Sequence, residues 1–334
     1  MHRLTAPRRA LWMALGTALL AGCTTVGPNF KTPAAPTVAG YTRAALPAAT
    51  ASAPGSLGGA QNVAATPAVA AEWWSSFGSA QLDALVAQAL QNSPTLAAAE
   101  ATLRQAQQTY AAQAGSTLYP TVNAKLGASR NASNASSFGQ NGGGQNIYNL
   151  YSAGIAVGYN LDLFGGNRRA LEALAAQADY QAYQLAGARL SLAGNVVTTA
   201  FGQAQVAAQI EATEAILKAQ QSQLAIAHKR FELGAAARAD VLTLQTQVEQ
   251  TRATLPPLRN KLEQADHLLA ILIGQAPGSA DVPRFKLADF QLPATLPLVV
   301  PSELVRQRPD IQASTALPAR RSGRCGSAAP AVVR

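Results

Sequence analysis

From Tyr151 to Leu163, large apolar side chains alternate with small or polar ones. Tyr151, Ala153, Ile155, Val157, Tyr159, Leu161 and Leu163 fall on one face of an extended chain. Ser152, Gly154, Ala156, Gly158, Asn160 and Asp162 fall on the other. One apolar and one polar face, over a length that crosses a bilayer, is the pattern of a strand in a transmembrane β-barrel. Upstream, Val122, Ala124, Leu126 and Ala128 alternate with Asn123, Lys125, Gly127 and Ser129, which predicts a second strand. Residues 130–150 are rich in Asn, Ser and Gly and read as a long loop joining the two strands in antiparallel order.

Elsewhere the period is helical. Leu82, Leu85, Val86, Ala89 and Leu90 mark one helix. Asn92-Ser93-Pro94 interrupts it, and a second helix is expected from Thr95 to Ala114, with Ser93 as N-cap and Pro94 at the first position. Leu118-Tyr119-Pro120 breaks that helix before the strands. From Arg168 the helical period holds for about 65 residues, roughly 100 Å at ~1.5 Å per residue. Leu171, Ala178, Leu185 and Leu192 are spaced by seven. After a step of four, Val196, Gln203, Ile210, Leu217, Leu224 and Phe231 continue at seven. Such a row is a coiled-coil seam with a stutter. Leu233-Gly234-Ala235 is the expected turn, and Asp240 is placed to cap a return helix. The return helix carries Val241, Val248, Leu255, Leu262 and Leu269 at heptad spacing, together with Leu244, Leu258 and Leu272. Pro256-Pro257 should kink it, and Gly274 and Pro277 should end it.

Composition adds the cell-envelope context. Only 13% of the 334 residues are charged, and Ala and Gln are abundant, which suits closely packed long helices. The net charge of +9 is concentrated at the ends. Three arginines lie in the first 22 residues and four in the last 22, with no acid in either stretch, which leaves +2 between them. No basic patch remains for nucleic acid. Arg3, Arg8 and Arg9 followed by the apolar run Leu11 to Leu20 make an export signal, too short for the ~20 residues of a spanning helix. It ends in Leu20-Ala21-Gly22-Cys23, which resembles the bacterial lipobox, so Cys23 is the expected acceptor of diacylglycerol and of a further acyl chain such as palmitate. Residues 24–70, dominated by Ala, Pro, Thr, Gly and Ser, read as a tether or an extended segment lying on a neighbour. The only other cysteine is Cys325, so no disulfide framework is expected.

Catalytic chemistry finds no support. Gly142-Gly143-Gly144 is followed by neither Lys-Ser/Thr nor a helix, so a flexible loop is expected and not a phosphate cradle. The Asn131 and Asn134 glycosylation-like triplets are taken as chance. His228 and His267 stand singly on long helices, and no metal-ligand cluster or nucleophile–base pair can be read. No enzyme activity, metal or cofactor is expected.

A faint repeat is visible. Leu85-Val86-Ala87-Gln88 leading to Ser93-Pro94-Thr95-Leu96 is echoed by Leu304-Val305-Arg306-Gln307 leading to Arg308-Pro309-Asp310-Ile311. The motifs named so far, with Trp73-Trp74-Ser75-Ser76-Phe77, Tyr119-Pro120, Arg230-Phe231-Glu232-Leu233-Gly234, Asp240-Val241-Leu242 and Leu269 to Gly274, resemble in order those of the outer-membrane factor family, the TolC-like channels of RND-type tripartite efflux pumps. The lipobox places the chain with the lipidated subfamily, and Thr24 after Cys23 favours sorting to the outer membrane, with the chain extending into the periplasm. The resemblance implies an α+β membrane protein in which transmembrane β-barrel strands join long antiparallel coiled-coil helices. In the family a homotrimer closes a twelve-stranded barrel above a periplasmic α-barrel, from two tandem repeats per protomer. It implies passive export of drugs or other small molecules, with an inner-membrane RND-type pump supplying energy. A periplasmic adaptor would dock at the tip formed by Leu233, Gly234 and Ala235.

Asp162 is expected either at the lumen or capping the strand-to-helix corner, Asp240 at a helix start as a cap or tip acceptor, and Asp310 capping or paired with Arg308. The expected organisation is a signal over 1–22, a lipidated tether over 23–70, N-terminal helices over 71–117, the barrel hairpin over 118–164 and the helical hairpin over 165–274. A connecting equatorial segment over 275–301, the start of a second repeat over 302–312 and an aberrant tail over 313–334 follow. Only about one repeat is thus present, so a truncated and inactive product is expected. A periplasmic adaptor lipoprotein, which also carries a helical hairpin, is the alternative.

Overall fold

The computed structural model describes residues 47–55, 57–65, 70–134, 145–278, 281–298 and 307–316. The signal, Cys23, Gly142 to Gly144, Leu304 to Arg306, the tail after residue 316 and Cys325 lie outside them. The described chain runs β1 (Asn62–Ala65), α1 (Ala80–Asn92), α2 (Pro94–Leu118), β2 (Thr121–Asn134), β3 (Gln145–Gly158), α3 (Gly166–Glu232), α4 (Arg238–Leu272) and β4 (Thr295–Leu298). It divides into two compact units, one containing residues 103–181 and the other residues 33–102 and 182–313.

In the first unit β2 and β3 form an antiparallel pair in continuous register from Thr121↔Gly158 to Asn134↔Gln145. Two expectations are corrected here. The second strand stops at Gly158, five residues before Leu163, because Pro120 has no N–H to continue the ladder and Thr121 is the last residue able to pair. Of the loop expected over 130–150, residues 130–134 and 145–150 are strand instead. Asn and Ser side chains signal a loop by composition, yet the ladder uses backbone groups, which these residues also supply.

The second unit packs α1 against parts of α3 and α4. Its core holds Leu82, Leu85, Val86 and Ala89 from α1, Val196, Val197, Ala200 and Ala204 from α3, and Leu269 from α4 with Ile273 just beyond it. Phe285 and Phe290, from the segment after α4, complete it. Alanines at 193, 200 and 204 allow close approach, while each buried Leu or Phe contributes about 1.5–3 kcal/mol. Aromatic rings continue the packing edge to face from Phe77 to Phe201 (4.8 Å) and from Phe201 to Phe290 (4.5 Å). Ser93, buried, accepts a hydrogen bond from the Leu96 N–H at 3.4 Å, with Pro94 first in α2.

The segment read as a tether or an extended segment lying on a neighbour contains β1, which pairs in parallel with β4, and Ala49 bridges to Asn62. Four residues are too few for an alternating pattern to register, so this pairing had no sequence signal. A helix over 309–316 likewise extends past Gln312 into a stretch read as aperiodic. Arg308 and Asp310 pair at 2.6 Å, which holds the Asp310 carboxyl below the usual carboxylate range; both are exposed, so the pair adds little to stability. Helix α4 runs unbroken through Pro256 and Pro257.

Helices α3 and α4 end in the same way. In each, a glycine with positive φ (74° at Gly234, 77° at Gly274) follows the last turn. The next N–H then reaches back five residues: Ala235 to the Arg230 carbonyl at 2.7 Å, and Gln275 to the Ala270 carbonyl at 2.9 Å. The surroundings differ. A Cβ on Gly234 would meet nothing within 4 Å, whereas one on Gly274 would lie 2.5 Å from the Asn92 carbonyl oxygen. Gly234→Ala is therefore expected to cost only the left-handed backbone penalty of ~1–2 kcal/mol. Gly274→Ala should cost about 2–4 kcal/mol because α1 must also shift. Thermal unfolding of the two variants, compared side by side, checks this order.

Candidate membrane hairpin, corner and helical tip

The register of β2 and β3 sorts their side chains onto two faces, because directly opposed residues project to the same side. One face carries Val122, Ala124, Leu126, Ala128 and, across from them, Val157, Ile155, Ala153 and Tyr151. Beyond this band the same face carries Arg130 opposite Asn149. The other face carries Asn123, Lys125, Gly127 and Ser129, opposite Ala156, Gly154, Ser152 and Leu150. The apolar face is bare: Leu126 is 88% exposed and Ile155 77%. From the Val122 pair to the Ala128 pair is about 20 Å at ~3.4 Å per residue. No helix among the described residues is long and apolar enough to cross a membrane.

Between strand and helix the chain turns at Gly165, which has φ 74° and whose carbonyl accepts the Arg169 N–H at 3.0 Å. Asp162 lies three residues earlier. Its Oδ2 accepts the Arg168 N–H at 2.9 Å, so the carboxylate satisfies one of the unpaired donors of the first turn of α3 and sits at the positive end of the helix dipole. The structure thus places Asp162 at the corner, exposed.

At the far end of α3, Leu233, Gly234 and Ala235 form the reversal into α4 and all three are exposed, Leu233 to 83%. Asp240 is the third residue of α4 and not its N-cap, which is Ala237. Its Oδ2 accepts the Ala237 N–H at 3.3 Å. Alanine offers no side-chain acceptor in return, so only half of a capping box is present. Across the antiparallel helices the exposed Arg259 meets Glu214 at 2.8 Å, a pair that adds little, while the apolar positions Val241, Val248 and Leu255 are buried. An open groove of about 630 Å³ runs between α3 and α4, lined by Thr213, Thr254 and Pro257 among others.

One polar cluster had no place in the reading of the sequence. Gln203, fully buried, donates from Nε2 to Asp266 Oδ1 at 2.6 Å and to the Pro283 carbonyl at 3.3 Å, while its Oε1 accepts the Phe285 N–H at 2.8 Å. Asp266 in turn takes the Arg284 guanidinium at 2.9 Å, and that arginine also reaches Glu263 at 2.9 Å. The Asp266 hydrogen bond, above all, raises the already high pKa of Arg284, which stays charged throughout. The cluster joins α3, α4 and the segment 283–285. A glutamine in an otherwise apolar heptad row was its only signal.

Residues 85–275, more than half of the chain, match the family model described as outer membrane efflux protein. The chain belongs to that family. A curated relative, the pyoverdine export outer membrane protein OpmQ of Pseudomonas aeruginosa, is 31% identical over 244 residues, which cover 72% of this chain and 51% of OpmQ. The probable efflux pump outer membrane protein TtgC of Pseudomonas putida is 28% identical over 307 residues, covering 90% of this chain and 59% of TtgC. Among solved structures, that of the outer-membrane channel OprN matches with a TM-score of 0.73 at 27% identity, over 92% of this chain and 64% of OprN. The fold is that of TolC-like outer-membrane channels, rich in helix. The chain spans about half the length of the curated relatives it matches.

Proposed function

We propose that this chain supplies the wall of an outer-membrane duct in a tripartite efflux system, through which small molecules leave passively. The observation that carries the reading is the bare hairpin with unlike faces, followed within eight residues by a 67-residue helix. A strand pair with an apolar face of about 20 Å fits the ~25 Å apolar band of an outer-membrane barrel. In lipid every backbone group needs a partner, so two strands per chain must close with strands from other copies or from further sequence. In the family reading a trimer closes around one axis with two such hairpins per protomer, of which this is one, and helical hairpins continue the passage into the periplasm.

In this arrangement the Leu126 face meets lipid and the Lys125 face lines the lumen. Leu233, Gly234 and Ala235 form the tip that meets a periplasmic adaptor, which links the duct to an inner-membrane RND-type pump. An exposed leucine on a sharply turned tip is a suitable apolar anchor for such docking. Cys23 carries the lipid anchor in the outer membrane, upstream of a segment that reaches β1. Catalysis has no part in the reading.

The test is fractionation of the expressed protein, with heat-modified gel migration and detergent-resistant oligomers as readouts. Outer-membrane recovery as a detergent-resistant oligomer is expected; a monomer released from the envelope by washing would refute the reading. Cys23→Ser is expected to abolish incorporation of labelled palmitate while leaving the helical circular dichroism of the protein unchanged. Incorporation that persists in this variant would remove Cys23 as the acceptor.

A further inference from the structure

We infer that Lys125 gives the duct a preference for anions; this rests on the duct reading above. From Tyr119 through Leu161 the sequence contains no Asp or Glu and only two charged residues, Lys125 and Arg130. The register puts them on opposite faces of the hairpin. Arg130 lies one pair beyond the apolar band, where a long side chain reaches the headgroup level of the membrane. Lys125 lies within the span of that band, on the side with Asn123, Gly127 and Ser152.

Three features leave the Lys125 ammonium as an uncompensated charge. It is exposed and makes no ion pair among the described residues. Gly154 stands directly opposite it and offers no side chain. Its neighbours along the same face, Asn123 and Gly127, carry no charge. An ammonium at this depth is tolerated only facing water, and the polar face is the one that faces it. Each copy in a closed assembly adds the same charge at the same level, so these hairpins contribute a positive ring to which their own residues add no acid. Rings of Lys or Arg are how pores favour anions.

In a twelve-stranded closure of the family kind, where further strands complete the ring, three such charges about 10 Å from the axis and screened over a ~10 Å Debye length favour chloride over potassium about fivefold at 0.1 M salt. At 1 M salt, with a Debye length of ~3 Å, the preference falls nearly to one.

The test is the reversal potential of the full chain in planar bilayers of zwitterionic phosphatidylcholine under a potassium chloride gradient. The variants are Lys125→Gln, Lys125→Glu and Arg130→Gln. Lys125→Gln should remove most of the anion preference, Lys125→Glu should invert the shift, and Arg130→Gln should leave it unchanged although it removes the same charge. Comparing variants with the parent cancels the contribution of charges at the helical tips. A conducting protein whose reversal potential ignores Lys125, or follows Arg130 instead, would overturn the inference and leave the duct standing. A protein that inserts as an oligomer but never conducts would end both.

Discussion

Gln203→Leu is expected to destabilise the protein by about 3 kcal/mol, although leucine matches glutamine in size and suits a heptad core. The substitution strands the Phe285 N–H, buried beside a fully buried phenylalanine, and removes a donor from the Asp266 carboxylate. A buried unsatisfied backbone donor costs ~1–3 kcal/mol, and losing a hydrogen bond to a charged group costs ~1.5–3 kcal/mol. Leucine regains part of this by burying more apolar surface, which keeps the total near the middle of the range. For a cooperative unit of this size ~3 kcal/mol corresponds to a fall in melting temperature of roughly 6–12 °C. Circular dichroism at 222 nm measures it, and limited proteolysis should show earlier cleavage over 275–298, the segment that the cluster holds. A second variant separates shape from polarity. Gln203→Glu keeps an acceptor for Phe285 but sets a carboxylate against Asp266. Repulsion raises the new group's folded-state pKa, so the defect should be largest at neutral pH and shrink as protonation relieves it on acidification. Melting unchanged in Gln203→Leu would show that the network does not hold the segment.

The parts that were legible in the sequence are those with a local period. In α4, Val241, Val248, Leu255 and Leu269 are buried and Leu262 is half-buried, as a seven-residue row requires. The turn at Gly234 was legible because one positive-φ position ends a long helix, and glycine fills it at least cost. The alternation that marks β2 and β3 also holds, though their ends were misjudged: polarity of side chains was taken for loss of pairing, and the limit set by Pro120 on the partner strand was overlooked. The parts that were not legible depend on residues far apart in sequence. β1 meets β4 across more than 230 positions, and Gln203 finds its partners 63 to 82 residues away. No window of local pattern contains either. Asp240, read as a cap or a tip acceptor, is the acceptor and not the cap; which of the two it is depends on where the tip loop releases the chain, at Ala237.

The largest effect is expected from a charge placed on the apolar face of the hairpin. Leu126 lies near the middle of the band, with Ala124 and Ala128 flanking it and Ala153 opposite, and no side chain of the described hairpin covers it. Leu126→Lys would put an ammonium against lipid hydrocarbon, at a cost of ~2–4 kcal/mol per copy. In a closed trimer the cost is incurred three times, about 6–12 kcal/mol for the assembly, which is comparable with the whole stability of a typical domain. The detergent-resistant oligomer should disappear from the outer-membrane fraction. The matched control is Ser152→Lys, one row along the ladder but on the other face, where it would join Lys125 in water. That variant should still assemble, with only mutual repulsion between the added charges to weaken it. The two substitutions add one charge each in adjacent rows of the ladder, so net charge and depth cannot separate them; only the solvent on each side can. Equal loss of assembly in both would mean that the hairpin does not divide lipid from water. Loss in Ser152→Lys alone would mean that its faces are the reverse of those assigned.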